Sequence, residues 1–213
     1  MSRLALILWA TVLALFTVSL LIGPAEATIG QSLWALVAGD GGPMTVVMRE
    51  IRLPRAILAV LIGGSLGLAG AAMQGYLRNP LADPGLIGVS GSAALGAVIS
   101  IQTGLATAFF LALPIMALVG ALTGVLLVLL LAGPRGSSLA LILAGIAISA
   151  FAGALTSLVL NLSPNPYAAS EIVFWMMGSL ADRSMLHVWI SLPLIVLGAG
   201  LLATLSRGLD ALT

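Results

Sequence analysis

The chain has 213 residues, 61% of them hydrophobic and only 7% charged, with a formal net charge of +1. A mean hydropathy of +1.22 leaves too little polar surface to cover a water-soluble body, which excludes soluble enzymes, nucleic-acid readers and disordered linkers. All basic residues are Arg, and without Lys there is no nucleotide-binding P-loop and no Schiff-base chemistry, so any ATP-driven step uses another chain. Zero Cys removes thiolate catalysis, disulfides and Cys-based metal sites, and His187 is the only His.

A bilayer core of about 30 Å needs about 20 apolar helical residues. Six apolar runs meet or approach that length: Leu4 to Ile22, Leu53 to Tyr76, Gly85 to Ile101, Leu105 to Leu131, Leu139 to Leu160 and Leu186 to Leu205. They predict an all-α, polytopic transmembrane helical bundle of six spans in a single domain over residues 1–213, in contact with membrane lipid.

Taken in chain order, the first run is followed by Ala25-Glu26-Ala27, which has the form of a signal-peptidase site. The run is longer than a usual signal core and more spans follow, so a retained helix is expected. Gly30 to Gly39, with Trp34, is too short to span and reads as an interfacial helix, broken by Gly39-Asp40-Gly41-Gly42-Pro43. Arg49-Glu50-Ile51-Arg52-Leu53-Pro54-Arg55 is predicted to open the second span, with Pro54 in its first turn, where the missing N–H costs nothing. Arg52 and Arg55 are three apart and share a face there, which suits either bidentate carboxylates or snorkelling to headgroups.

Asn79-Pro80 is expected to end that span and Asp83-Pro84-Gly85 to begin the next, with Asp83 as N-cap and Pro84 at the first helical position, a rigid hairpin. Small residues recur every fourth position at Gly63, Gly67, Ala71 and Gly75, at Gly88, Ser92, Gly96 and Ser100, and at Gly145, Ser149, Gly153 and Ser157. Such ridges let helix backbones approach closely in lipid. Arg3, Arg78, Arg135 and Arg207 fall on one side and Arg49, Arg52, Arg55 and Arg183 on the other, so the positive-inside rule gives no orientation.

At these residues the chain resembles the FecCD-type (BtuC-like) permeases of ATP-binding-cassette importers for ferric siderophores, haem and cobalamin. The resemblance rests on Arg52-Leu53-Pro54-Arg55, on Gly64 through Gln74, on Asn79 through Gly91, on Leu143-Ala144-Gly145 and on Trp175 through Leu180. It implies a bacterial inner-membrane subunit with a cytoplasmic N-terminus, paired with a second permease, two ATPase subunits and a substrate-binding protein, working by alternating access. ATP and Mg would sit on the ATPases, with no cofactor or metal on this chain. It further implies binding-protein docking by Arg52 and Arg55, with Arg49 as an assistant, a cytoplasmic gate at Ser137 and Ser138, and a pathway lined by Gly145, Ser149, Gly153 and Ser157. For both serines helix N-capping is a parallel reading. Family members have roughly ten spans, so the chain reads as an N-terminal part of the fold that stops at Thr213 before a coupling helix and a second half.

Two other classes compete. Gly88-Val89-Ser90-Gly91 has the G-x-S-G form of rhomboid-like intramembrane serine proteases, with His187 as a base, but six spans would put these residues at opposite faces. A secondary transporter would carry charges deep inside its spans, and apart from Arg55 at the opening of the second the six runs contain none.

Overall fold

The computed structural model describes residues 2–23, 27–39, 41–163 and 166–210. Ala25, Glu26 and Asp40, which figure in the expected cleavage site and loop break, lie outside the described residues. Among those described, every regular element is helical.

Helix α1 spans Arg3–Leu21 and starts at an N-cap where the Ser2 hydroxyl accepts the Ala5 N–H. Helix α2, Ile29–Ala38, opens on a reciprocal capping box between Thr28 and Gln31 and ends at Gly39, whose φ of 63° is the left-handed conformation favoured by glycine. Here the short helix expected around Trp34 forms.

The second long segment corrects the sequence reading of where its helix begins. It runs for 35 residues, Pro43–Leu77, as α3 (Pro43–Val46), a π-turn (Val47–Arg52) and α4 (Leu53–Leu77). Pro54 is therefore well inside a helical stretch and not at its first turn. The π-turn makes this possible: the Leu53 N–H reaches back five residues to the Met48 carbonyl, a wider turn just ahead of a proline that has no N–H to donate. At 1.5 Å per residue the whole stretch is about 52 Å long, more than an apolar core of about 30 Å requires.

The third expected span is also shorter than anticipated. Pro84–Ile87 forms a 3-10 turn, Gly88 interrupts it at φ 81°, and helix α5 occupies only Val89–Gln102. Fourteen residues rise about 21 Å, less than a bilayer core. The fourth run divides into a single turn, α6 (Leu105–Ala108), and α7 (Ala112–Ala132). Helix α8 is Ser138–Asn161, α9 is Pro166–Met176, and α10 is Met185–Asp210 with Pro193 inside it. Five of the described stretches are long and apolar enough to cross a membrane, where the sequence reading expected six, and α2 and α5 are shorter apolar helices.

The chain divides into two compact units, one of Met1–Leu68 with Leu180–Gly208 and the other chiefly Ala69–Ser179. In the first, Leu20 of α1, Ala35 of α2 and Met48 of the π-turn form a buried cluster, joined by Phe16, Leu36, Met44 and Leu53. Leu20 is the one buried residue of α1, so most of that helix presents apolar side chains outward, as a lipid-facing helix does. In the second unit, Val98, Ile101 and Ile172 pack together, as do Val128, Ala144 and Ile148. The third-span ridge of small residues is buried at Gly88, Ser92, Gly96 and Ser100, whereas Gly63, Gly67 and Ala71 on α4 are exposed.

Candidate functional site

The three arginines of the motif at the π-turn have three different surroundings. Arg52 is buried, with 7% of its surface exposed, and its Nη1 donates to the Leu21 carbonyl at 2.8 Å and the Leu20 carbonyl at 3.5 Å. Those carbonyls belong to the last turn of α1, where no helical N–H remains to pair them, and a cation also suits the negative end of the helix dipole. Arg49 is half-buried and does the same for α2, through Nε to Leu36 at 3.0 Å and Nη2 to Val37 at 2.9 Å. Arg55 is exposed. The expected pairing of Arg52 with Arg55 on one face therefore does not form: Arg52 turns inward to α1 and Arg55 outward.

Glycines make room for both inward arginines. A Cβ at Gly23 would lie 2.8 to 3.0 Å from the Arg52 guanidinium, and one at Gly39 would lie 2.5 to 2.6 Å from that of Arg49. Both distances are below any real side-chain contact, so each guanidinium lies against the glycine that follows its helix.

The hairpin is built by side-chain-to-backbone bonds. Helix α4 ends at Leu77, Arg78 takes φ 50°, and the Asn79 Oδ1 accepts the Leu81 N–H at 2.9 Å. Asp83 Oδ1 accepts the Gly85 N–H at 2.6 Å and caps the 3-10 turn that Pro84 opens, so its cap serves that turn and not α5 itself. Gln74 closes the corner by donating to the Ala82 carbonyl at 3.4 Å, while Pro80 is exposed.

This corner is pressed against α8. A Cβ at Gly145 would stand 2.7 Å from the Ile87 Cα, and one at Gly88 would stand 3.0 Å from the Gly145 carbonyl. Gly145 is thus occupied by packing within the chain. Ser149, one turn on, is half-buried with its hydroxyl unpaired, and Gly153 and Ser157 are exposed. Four-residue steps drift about 40° each around a helix of 3.6 residues per turn, which turns the ridge from the covered face to the open one. Ser137 is the N-cap of α8, its hydroxyl accepting the Ala140 N–H at 3.2 Å, and Ser138 opens the helix, both exposed. Between α5, α7 and α8 lies an apolar groove of about 260 Å³ floored by Ser92, Gly96, Gly120 and Gly124 and rimmed by Phe151 and Leu155.

A model of the FecCD transport family matches residues 11–213. The chain belongs to the FecCD transport family. It is 39% identical over 205 residues to the ferric enterobactin transport system permease protein of Escherichia coli (strain K12), covering 92% of this chain and 58% of that one. It is 39% identical over 181 residues to an uncharacterized ABC transporter permease protein of Bacillus subtilis (strain 168), covering 82% and 51%. A solved structure of a metal-chelate type ABC transporter in an inward-facing conformation superposes with a TM-score of 0.80 at 29% identity, over 96% of this chain and 61% of that one. The chain thus spans about half to three fifths of the length of these relatives.

In this FecCD chain the protease constellation has a plainer explanation. The His187 Nδ1 is 3.2 Å from the Ser184 N–H that it accepts, and its Nε2 is 3.5 Å from Arg183, so the ring closes the first turn of α10 much as a capping box does. Ser90 sits in the first turn of α5. Sequence reasoning missed the roles of Gly23 and Gly39, although a glycine directly after each apolar helix, followed by two arginines three apart, is a signal that could have raised them.

Proposed function

We propose that this chain is permease machinery of an ATP-binding-cassette importer for a metal chelate or corrinoid: a ferric siderophore, haem or cobalamin. The observation that carries the reading is the family match over residues 11–213, backed by relatives named for ferric enterobactin and, in Halobacterium salinarum, for cobalamin import. On this reading the chain breaks no bond. Two ATPase subunits bind ATP and Mg, since this chain has no Lys for a P-loop, and their cycle shifts a permease pair between outward- and inward-facing arrangements. The N-terminus lies in the cytoplasm of a bacterial inner membrane, and a binding protein delivers the chelate to the opposite face.

The residue proposals follow from surroundings. Arg55, exposed, is the docking group for carboxylates of the binding protein, with Arg49 and Arg52 behind it in the same motif. Ser137 and Ser138 stand at the cytoplasmic gate, and Ser149, Gly153 and Ser157 line the pathway, with Gly145 fixing the wall behind them. Walls of small groups offer a bulky chelate few strong contacts, which leaves selectivity to the binding protein.

The test is uptake of chelate into proteoliposomes containing the full-length permease with its ATPase and binding protein. Uptake that requires ATP and persists when proton and sodium gradients are collapsed supports the importer. Uptake that follows an ion gradient without ATP would replace it with a secondary transporter.

A further inference from the structure

We propose that Arg49 and Arg52 act as a double clasp, each fixing the C-terminal end of a different helix onto the π-turn. The two halves of the clasp share one construction. In each, a helix runs out of N–H donors, a glycine follows, and a guanidinium from the π-turn lies against that glycine and donates to the helix's last carbonyls. For α1 the parts are Leu20, Leu21, Gly23 and Arg52; for α2 they are Leu36, Val37, Gly39 and Arg49. Coming twice from one six-residue segment, this arrangement is a device and not two separate caps.

The physical need is clear in α1. Its apolar surface has no hydrophobic driving force to associate with other apolar helices in lipid, and Leu20 is the one residue it buries fully. A charge-assisted bond to unpaired carbonyls at the membrane edge is therefore a large part of what attaches that helix end. The Met48 side chain, fully buried beside Arg52, keeps water from competing for the same carbonyls. The π-turn contributes by widening the helix just where both arginines leave it, which lets residues three apart serve two different helices.

Hydrogen exchange of the full-length permease in lipid nanodiscs tests the clasp. Arg52→Gln is expected to speed exchange in residues 18–22 by about tenfold or more, the scale of losing a charged hydrogen bond, while residues 35–39 keep their protection. Arg49→Gln should give the reverse pattern. Gly23→Phe retains every arginine but fills the space against which the Arg52 guanidinium lies with a ring too large for a small shift of the side chain to accommodate, so it should reproduce the Arg52→Gln pattern. Arg55→Gln should change neither segment. The clasp is overturned if Arg52→Gln leaves residues 18–22 protected, or if Arg55→Gln loosens them equally. Should Arg52→Gln fail to fold, Gly23→Phe decides in its place: loosening confined to residues 18–22 supports the clasp and unchanged protection rejects it.

Discussion

The π-turn region and the α5–α7–α8 region solve the same problem, association of helices in lipid, by opposite means. The first uses long side chains that reach across to backbone carbonyls, with Arg49 and Arg52 each spanning to a helix more than ten residues away in sequence. The second trims side chains away, so that Gly96 and Gly120 let α5 and α7 meet backbone to backbone while Gly124 lies against the small Ser92 side chain. The comparison teaches that glycine has two unrelated duties here. In the second region it is the contact surface, and in the first it is an empty seat for an arginine.

The largest break in that contrast should come from filling a contact glycine. At Gly120 a Cβ would fall against the Ser92 carbonyl, and backbone cannot step aside as a side chain can. Gly120→Leu is expected to cost about 3 kcal/mol or more, read as a lower midpoint in denaturant titration from detergent micelles. An unchanged midpoint would mean that α5 and α7 are free to separate.

Asp83→Ala comes next, at about 1 kcal/mol, because it removes the acceptor of the Gly85 N–H while leaving the helices' own packing in place. The same titration measures it, and the loss should be cancelled in large part by Asp83→Asn or Asp83→Ser. Gly153→Ala sharpens the comparison by its sign. No atom lies within 4 Å of a Cβ there, so this glycine belongs to neither duty, and alanine should stabilise by up to about 1 kcal/mol through helix propensity. A destabilisation would reveal a neighbour at that position.

The smallest effect on stability is expected for Arg55→Glu, within about 0.5 kcal/mol, since the side chain is exposed. Its effect should appear instead as slower association of the binding protein, with the difference between variant and parent shrinking as salt rises. Equal association rates at low salt would remove Arg55 from the docking surface.

Much of this arrangement was legible in the chain because its determinants are local. Gly39 ends α2 where the short helix around Trp34 was expected to stop, and Ser92, Gly96 and Ser100 mark the buried stripe of α5. What was illegible depends on partners far along the chain or on hydrogen-bond register. Nothing near Arg52 announces that its acceptor is Leu21, 31 residues earlier. Pro54 was read as a helix start because that is its commonest place, whereas a five-residue backbone bond just before it admits proline further in. The third run was read as a full span because Pro84 is a good first helical residue, and the left-handed Gly88 that halts the turn looks in sequence like one more member of a small-residue ridge. At the site, exposure distinguishes Arg55 from Arg52, and spacing alone makes them equivalent.

The π-turn has one more consequence, for angular phase. A continuous α-helix is a rigid dial on which the direction of each residue sets that of all the others, at 100° per step. One wide turn at Val47–Arg52 offsets that dial, so α3 takes a different heading relative to the small-residue stripe on α4 from the one a continuous α-helix would give it. Shortening the segment by a single residue would rotate everything before it by about a quarter turn and carry Arg49 away from α2 without altering any side chain.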